Sequence, residues 1–328
     1  MNRKTISIAV ALAAVAASTA MPVAAAGPSV RAAVATDGTL RITGSPRADV
    51  IALRLNAAIR GQLQVDIGND GTADDTFDLG TVRAIDIEAG NGNDTVTIDQ
   101  VNGAFTTTEP TRIDGGNGDD IVNGGSGAEI LDGGNGDDVI DGNGGADTAF
   151  LGNGDDTFIW DPGDGSDVVE GGRGSDAMVF NGAGGNEIMA ATAFFGRVEF
   201  TRNLGGILMD LNGIESIDVN ALGGTDSVTV SNMSGTDLRR VNVDLAGSLG
   251  GSSGDGAADV VNVFGTKGDD SIAVSANGGA VDVTGLAALV HVTHADSDKD
   301  SLVIDPIEGN DNVALDPALP GLIQVSVL

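Results

Sequence analysis

Acidic residues recur every nine positions in the middle of this 328-residue chain. Five consecutive nonapeptides run from Gly115 to Ile159, and two related units follow Trp160-Asp161. The sixth position of each unit carries a carboxylate, and the seven acids are Asp120, Glu129, Asp138, Asp147, Asp156, Asp167 and Asp176. Ca²⁺ takes six to eight oxygen ligands from carboxylates and backbone carbonyls alike. Acids placed regularly in glycine-rich turns therefore predict calcium binding.

The eighth position of the same units is always apolar. Its occupants are Val122, Leu131, Ile140, Ala149, Phe158, Val169 and Met178. Neighbouring side chains of a strand point to opposite faces, so each unit presents one inward side chain. Consecutive glycines permit backbone conformations with positive φ. Each nonapeptide is thus predicted to form a tight turn followed by a short strand.

The overall composition excludes several classes of protein. The chain has 51 Gly, 48 acidic and 16 basic residues, a net charge of −32, and no Cys. Nucleic-acid binding is disfavoured because phosphate contacts require cationic side chains. Zinc and iron–sulfur centres require Cys or several His, and disulfides require Cys. A hydrophobic content of 41% argues against a solvated acidic tail.

The segment from Gly115 to Val179 resembles the hemolysin-type (RTX) calcium-binding repeats, GGxGxDxUx with U apolar. The resemblance implies a parallel β-roll in which two nonapeptides make one turn and calcium ions sit between turns on alternating sides. It places Asp120, Asp138 and Asp156 on one edge. It places Glu129, Asp147 and Asp167 on the other, with Asp176 as the last acid of the series. Glu129 departs from the motif in its longer side chain, and the unit GNGGADTAF displaces the second glycine.

The alternative interpretation of this block is a disordered acidic linker. Residues 113–180 contain 16 acidic residues and one basic residue, Arg173. Two carboxylates 4 Å apart repel by roughly 4 kcal/mol at an effective dielectric of 20. We therefore expect the block to resist compaction without a cation and to fold when calcium binds. Asp119, Asp137 and Asp155, at the fifth position, are expected to face solvent.

The flanks carry weaker versions of the acid-x-apolar pattern, and alternating apolar residues there predict strands. We expect an all-β chain: a parallel β-roll or β-solenoid with longer β-helix-like or β-sandwich-like flanks. The predicted divisions are 27–112, 113–180 and 181–328. Asp94 is the best calcium candidate in the flanks because Asn-Gly-Asn precedes it. Asp66 begins an EF-hand-like loop, but Phe77 stands at the twelfth position, so an ordinary turn is favoured.

The first residues have the layout of a secretory signal peptide. A basic start, Asn2-Arg3-Lys4, precedes an apolar Ala-rich run and an Ala24-Ala25-Ala26 cleavage site. This predicts a signal peptide at residues 1–26 and a secreted, extracellular or cell-surface protein. The mature chain has no uninterrupted apolar stretch of spanning length.

Catalytic patterns in the sequence are weak. Ser252 lies in a G-x-S-x-G match within a compositionally biased stretch, and no helix is predicted after it. His291 and His294 are expected to be edge residues that do not share a metal. We therefore predict a non-enzymatic calcium-binding protein with a structural, surface or adhesion role. Its expected partners are calcium ions and a cell-surface, polysaccharide or self-association partner. The alternative is a β-helix enzyme that modifies polysaccharides, a lyase or epimerase.

Overall fold

The computed structural model describes residues 29–328. The predicted signal peptide at residues 1–26 lies outside the described residues. The described chain is all-β, as the turn-and-strand pattern predicts. Its only helices are three short 3₁₀ turns, Leu79–Thr81, Leu204–Gly206 and Leu319–Gly321.

Strands occupy each of the three regions distinguished by the sequence. The N-terminal region has β1 (Arg31–Val34), β2 (Thr39–Thr43), β3 (Val50–Leu55), β4 (Gln62–Ile67), β5 (Asp75–Asp78), β6 (Ala84–Asn91) and β7 (Thr95–Asp99). The central region has β8 (Thr111–Asn117), β9 (Ile121–Asn123), β10 (Glu129–Asn135), β11 (Val139–Asp141), β12 (Thr148–Asn153), β13 (Thr157–Trp160), β14 (Val168–Arg173) and β15 (Ala177–Asn181).

The C-terminal region contains thirteen further strands. They are β16 (Ile188–Phe194), β17 (Arg197–Arg202), β18 (Ile207–Asn212), β19 (Ser216–Asn220), β20 (Ser227–Val230), β21 (Arg240–Asp244), β22 (Val260–Phe264), β23 (Ser271–Asn277), β24 (Ala280–Thr284), β25 (Leu289–Thr293), β26 (Ser301–Asp305), β27 (Asn312–Leu315) and β28 (Gln324–Val327).

Two sheets of fourteen strands run the length of the described chain. The first has the order β1-β2-β6-β8-β10-β12-β14-β18-β17-β16-β20-β22-β26-β28. The second has the order β27-β23-β24-β25-β21-β19-β15-β13-β11-β9-β7-β3-β4-β5. In the central region successive strands alternate between the sheets, and each pairs in parallel with the strand one full turn later. Ile130 of β10, for example, pairs with Thr148 of β12, which is 18 residues further along. Two nonapeptides therefore make one rung of a β-roll.

The flanks continue the same rungs with longer and less regular strands. Both sheets pass through residues 112 and 181 without interruption, because β6 pairs with β8 and β15 pairs with β19. Three antiparallel meanders interrupt the parallel pairing: β16–β17–β18 in the first sheet, and β23–β24–β25 and β3–β4–β5 in the second. The flanks are thus solenoid rungs with antiparallel insertions.

The core is a thin stack of inward side chains between the sheets. All seven apolar eighth-position residues are fully buried. Large aromatic side chains cluster where the central region meets the β16–β17–β18 meander. Trp160 stacks on Phe180 with 4.1 Å between ring centroids, and the ring centroids of Phe180 and Phe200 are 4.6 Å apart. A fully buried side chain of this kind contributes about 1.5–3 kcal/mol. The packing holds the turns in register and so positions the acids.

Candidate metal centre

The acids on one edge form a continuous hydrogen-bonded series, here called the first ladder (Asp94, Asp120, Asp138, Asp156 and Asp176). The Oδ1 atom of each acid accepts the backbone N–H of the acid one rung earlier. The N–H of Asp94 donates to Asp120 at 2.7 Å, and that of Asp120 donates to Asp138 at 2.8 Å. The next two bonds in the series measure 2.7 and 3.0 Å. One carboxylate oxygen of each ladder acid is thereby fixed.

The opposite edge carries a shorter series, the second ladder (Glu129, Asp147 and Asp167). The N–H of Glu129 donates to Asp147 Oδ1 at 2.8 Å, and the N–H of Asp147 donates to Asp167 Oδ1 at 2.9 Å. The division of the acids between two edges is therefore the one the repeat resemblance implies.

The step from Asp156 to Asp167 is 11 residues, two more than the nonapeptide period, but the acids stay in register. Trp160 is buried and donates its indole N–H to the Gly165 carbonyl at 2.8 Å, which folds the extra residues into the turn. The next acid on each ladder then follows after 20 residues instead of 18, at Asp167 and at Asp176.

The second oxygen of most ladder acids has no hydrogen-bond partner among residues 29–328. These buried Oδ2 atoms belong to Asp94, Asp120, Asp138, Asp147, Asp156, Asp167, Asp176 and, outside both ladders, Asp226. Their side chains are at most 2% exposed. A buried carboxylate oxygen without a partner is costly unless a cation compensates it. Seven of these atoms belong to acids that the sequence predicts as calcium ligands.

Backbone carbonyls lie beside these oxygens, in space that glycine leaves open. A methyl group at Gly115 would lie 2.6 Å from Asp120 Oδ2 and 2.7 Å from the Gly133 carbonyl oxygen. A methyl group at Gly133 would likewise lie 2.6 Å from Asp138 Oδ2. No three acidic or histidine side chains converge on one point within residues 29–328. An ion held here must therefore take most of its ligands from backbone carbonyls, which suits calcium.

The electrostatics of the ladders favour a bound cation. The pKa of Asp138 is raised to about 7, mainly by burial and also by the charges of Asp156 and Asp120, although the hydrogen bond from the Asp120 amide lowers it. Burial is also the main cause that raises the pKa of Asp94 and Asp176 to about 6. In the second ladder, burial and the charges of Glu129 and Asp167 raise the pKa of Asp147. A cation would reverse these shifts because it favours the ionised form.

Glu129 uses its longer side chain differently from the aspartates. Its Oε1 accepts the N–H of Gly127 at 3.0 Å, and its Oε2 accepts the N–H of Gly125 at 3.1 Å. Both oxygens therefore have partners in the residue's own turn. A calcium-ligand role for Glu129 stays a prediction.

The fifth-position acids face solvent, as the sequence predicts. Asp119, Asp137 and Asp155 are exposed and form an outer series in which each N–H donates to the acid one rung earlier, at 3.1 and 2.8 Å.

Other acids in the flanks have local partners. Asp66 forms an ion pair with Arg54 at 2.5 Å and accepts the N–H groups of Asp70 and Gly71, which is the ordinary turn favoured by the sequence. The two histidines have separate partners: His291 Nδ1 lies 2.5 Å from an oxygen of Asp282, and His294 Nδ1 lies 2.7 Å from one of Asp244.

Two further features were not among the predicted calcium ligands. Asp226 belongs to the weaker acid-x-apolar pattern of the flanks, with Val228 two residues later, and it has the same unpartnered oxygen as the ladder acids. Buried Arg202 pairs with buried Glu187, and its guanidinium carbon lies 5.2 Å from the Trp160 ring centroid. No local pattern pointed to that pairing.

Comparison with known proteins identifies the repeats. The RTX calcium-binding nonapeptide repeat family model matches residues 112–128, 123–158 and 163–178, with four copies. No curated protein matches the sequence. Among solved structures, the extracellular lipase LipA from Serratia marcescens aligns at 12% identity and a TM-score of 0.21 over 66% of this chain. The alignment spans 44% of the lipase chain.

The described part of the chain has no helix long and apolar enough to cross a membrane. Residues 112–178 combine the RTX sequence pattern, the parallel β-roll and two edges of buried carboxylates. The repeats of this family bind Ca²⁺. Residues 112–178 of this chain are therefore RTX-type calcium-binding nonapeptide repeats.

Proposed function

We propose that this protein is secreted, that it folds onto calcium along its two ladders, and that it then serves as a structural element outside the cell. The single observation that carries the proposal is the row of buried Asp Oδ2 atoms without partners in residues 29–328. Each belongs to a carboxylate whose other oxygen is already fixed, and backbone carbonyls lie close by at Asp120, Asp138 and Asp176. The proposed ligand residues are Asp94, Asp120, Asp138, Asp147, Asp156, Asp167 and Asp176, with Glu129 at the end of the second ladder.

The glycine-rich turns and the ladder acids contribute different parts of the proposed calcium sites. The glycine-rich turns bring carbonyl oxygens next to the carboxylates, and the Oδ1 hydrogen bonds orient each carboxylate before an ion arrives. Calcium, when bound, supplies the positive charge that 16 acidic residues and one basic residue in positions 113–180 lack. Because the unfolded chain has no such sites, the free energy of binding stabilises the folded state.

The extracellular location is supported by the signal-like first 26 residues and by the ligand itself. Extracellular calcium modules work at Kd values of about 0.1–1 mM, so such a chain would stay unfolded at low calcium and order itself outside. A structural role is supported by the elongated stack of rungs, whose long faces are available for contact with a surface, a polysaccharide or other copies.

Calcium titration followed by far-UV circular dichroism tests the proposal. We expect strand signal to increase with calcium and to be lost on addition of EDTA. Identical spectra in calcium and in EDTA would contradict coupled binding and folding.

Two matched variants locate the sites. Asp138→Asn keeps an oxygen that can accept the Asp120 amide but removes the charge from a buried ladder position. We expect its titration midpoint to rise at least about tenfold, equivalent to 1.4 kcal/mol. Asp137→Asn removes the same charge from the adjacent exposed position and should leave the midpoint nearly unchanged. Equal midpoints in the two variants would place calcium away from the first ladder.

A further inference from the structure

The Asp226 turn lies outside residues 112–178 but has the same carboxylate arrangement as the repeats. Asp226 is 2% exposed, and its Oδ1 accepts the N–H of Glu187 at 2.8 Å. Its Oδ2 is buried and has no hydrogen-bond partner within the described chain. In the repeats, Asp138 is fixed in the same way through the N–H of Asp120.

The backbone of this turn also matches the repeats, although its sequence differs. Gly224, two residues before the acid, has φ 131°, and Gly136 has φ 130° before Asp138. Leu222, four residues before the acid, has φ 66° where the repeat has a glycine. A bulky residue in the left-handed region costs about 1–3 kcal/mol and persists only where its surroundings require that conformation. The turn therefore keeps a positive φ at this position, as Gly134 does with φ 105°, against the preference of the leucine side chain.

The stacking of carbonyls is conserved between the two kinds of turn. A methyl group at Gly224 would lie 2.7 Å from the carbonyl oxygen of Gly185 on the preceding rung. At Gly136 the corresponding distance to the Gly118 carbonyl is 2.1 Å. Carbonyl oxygens thus approach the Asp226 turn as they approach the turns of the central block.

A second carboxylate reaches this turn, which is a further difference from the repeats. In the central block the N–H of Gly136 donates to the backbone carbonyl of Asn153. At the Asp226 turn, the corresponding N–H of Gly224 donates to Asp255 Oδ2 at 2.8 Å, so a second carboxylate reaches this turn. Burial and the charges of Asp259, Glu187 and Asp255 raise the pKa of Asp226 to about 7.

Neighbouring acids of the C-terminal region do not share these properties. Asp270 Oδ2 accepts the N–H of Thr266 at 2.7 Å, and Asp300 Oδ2 accepts the N–H of Asp296 at 2.6 Å. These oxygens have partners in their own turns. The unpartnered, buried oxygen distinguishes Asp226 from both.

We propose that Asp226 Oδ2, with backbone carbonyls of its turn, binds one further calcium ion outside the nonapeptide repeats. The inference rests on the proposed function, because it uses the same ligand chemistry. It extends calcium binding from the repeats to the C-terminal half of the solenoid.

The test counts calcium ions on the full chain by equilibrium dialysis and isothermal titration calorimetry. Asp226→Asn preserves an acceptor for the Glu187 amide and should bind one calcium fewer per chain than the unaltered protein. Asp237→Asn removes the same charge from an exposed position in the same region and should bind the full number. Equal stoichiometry and affinity in Asp226→Asn and the unaltered protein would overturn the site.

If the Asp226 variant folds poorly, amide hydrogen exchange measured on the unaltered protein tests the Asp226 site instead. We expect calcium to slow exchange at Gly224 and Asp226 as it does in residues 112–178. Slowed exchange in the repeats without any change at this turn would refute the Asp226 site alone. Absence of any calcium binding by the unaltered protein would refute the proposed function and this site together.

Discussion

The central repeats and the flanking rungs share one fold but satisfy their buried acids in two different ways. In the repeats, aspartate Oδ2 atoms are left without partners among the described residues. In the flanks, Asp94 and Asp226 share this property, but at other acids the hydroxyl, amide or guanidinium groups of nearby residues take that role. Asp49 accepts the amide of Ser45 at 2.5 Å and its hydroxyl at 3.1 Å, and Thr266 does the same for Asp270.

Solenoid geometry does not by itself require a metal. A carboxylate that caps its own turn is satisfied by protein groups, whereas a carboxylate oxygen that is buried without a partner favours a bound cation. The buried carboxylate of Glu187 is compensated in a third way, because it forms an ion pair with the buried guanidinium of Arg202. The substitution of one or two residues per turn therefore decides whether a rung needs calcium.

Removing calcium should produce the largest difference between the two regions. Calcium at a thousand times its Kd stabilises a protein by about 4 kcal/mol per site, and the ladders offer several sites. In EDTA we expect amide exchange in residues 112–178 to become fast while strands β21, β22 and β26 remain protected. Uniform loss of protection along the chain would instead show that the solenoid folds as one cooperative unit.

Acid should partly replace calcium in the ion-free protein. The folded-state pKa of Asp138 is raised to about 7, and those of Asp94 and Asp176 to about 6, above the value of about 3.9 for an unfolded chain. The folded state therefore binds more protons between these values, and the stability that protonation provides is lost as pH rises through 6 to 7.

The quantity to measure is the midpoint temperature of thermal unfolding as a function of pH. In EDTA we expect the midpoint to rise as pH falls from 8 to 5, with a gain on the order of a few kcal/mol summed over the ladder acids. In calcium, protons compete with the ion, so the apparent calcium affinity should fall over the same range. A midpoint in EDTA that falls with pH in this window would contradict the raised pKa values.

Arg202→Met should destabilise the flank equally with and without calcium. The substitution leaves buried Glu187 without its cation, and breaking a buried pair in this way costs about 3–5 kcal/mol. Urea unfolding of the C-terminal region measures the effect. Arg173→Met, at an exposed position, is the control, and adding Glu187→Gln to Arg202→Met should recover part of the loss. Rescue of Arg202→Met by calcium would mean that the arginine substitutes for an ion.

Gly136→Ala should give the smallest of these effects, confined to the repeats. Its backbone has φ 130°, and the new methyl group would lie 2.1 Å from the Gly118 carbonyl oxygen. We expect a loss of about 1–3 kcal/mol in thermal unfolding with calcium present. Gly184→Ala, which would meet no atom within 4 Å, should be nearly silent. Equal effects of the two substitutions would show that the repeat turns are not tightly stacked.

The repeat phase and the resemblance that it carries determined much of the molecule. The resemblance to the RTX repeats implied that two nonapeptides make one rung, and it therefore predicted that Asp120 shares an edge with Asp138, and Asp147 with Asp167. The apolar eighth position predicted the buried stripe. Both predictions succeeded because the information is local: a short turn and a short strand repeat with a fixed period, and stacking copies them in register.

The tertiary structure decided the matters that depend on contacts between distant residues. Glu187 and Asp226 are 39 residues apart, and their hydrogen bond exists because the strands that follow them, β16 and β20, pair in parallel. The pairing of Arg202 with Glu187 depends on the antiparallel pairing of β16 with β17. Whether a carboxylate oxygen is satisfied or left alone is a property of its packed surroundings. The sequence therefore placed the acids, and only the fold distinguished those that need a cation from those that do not.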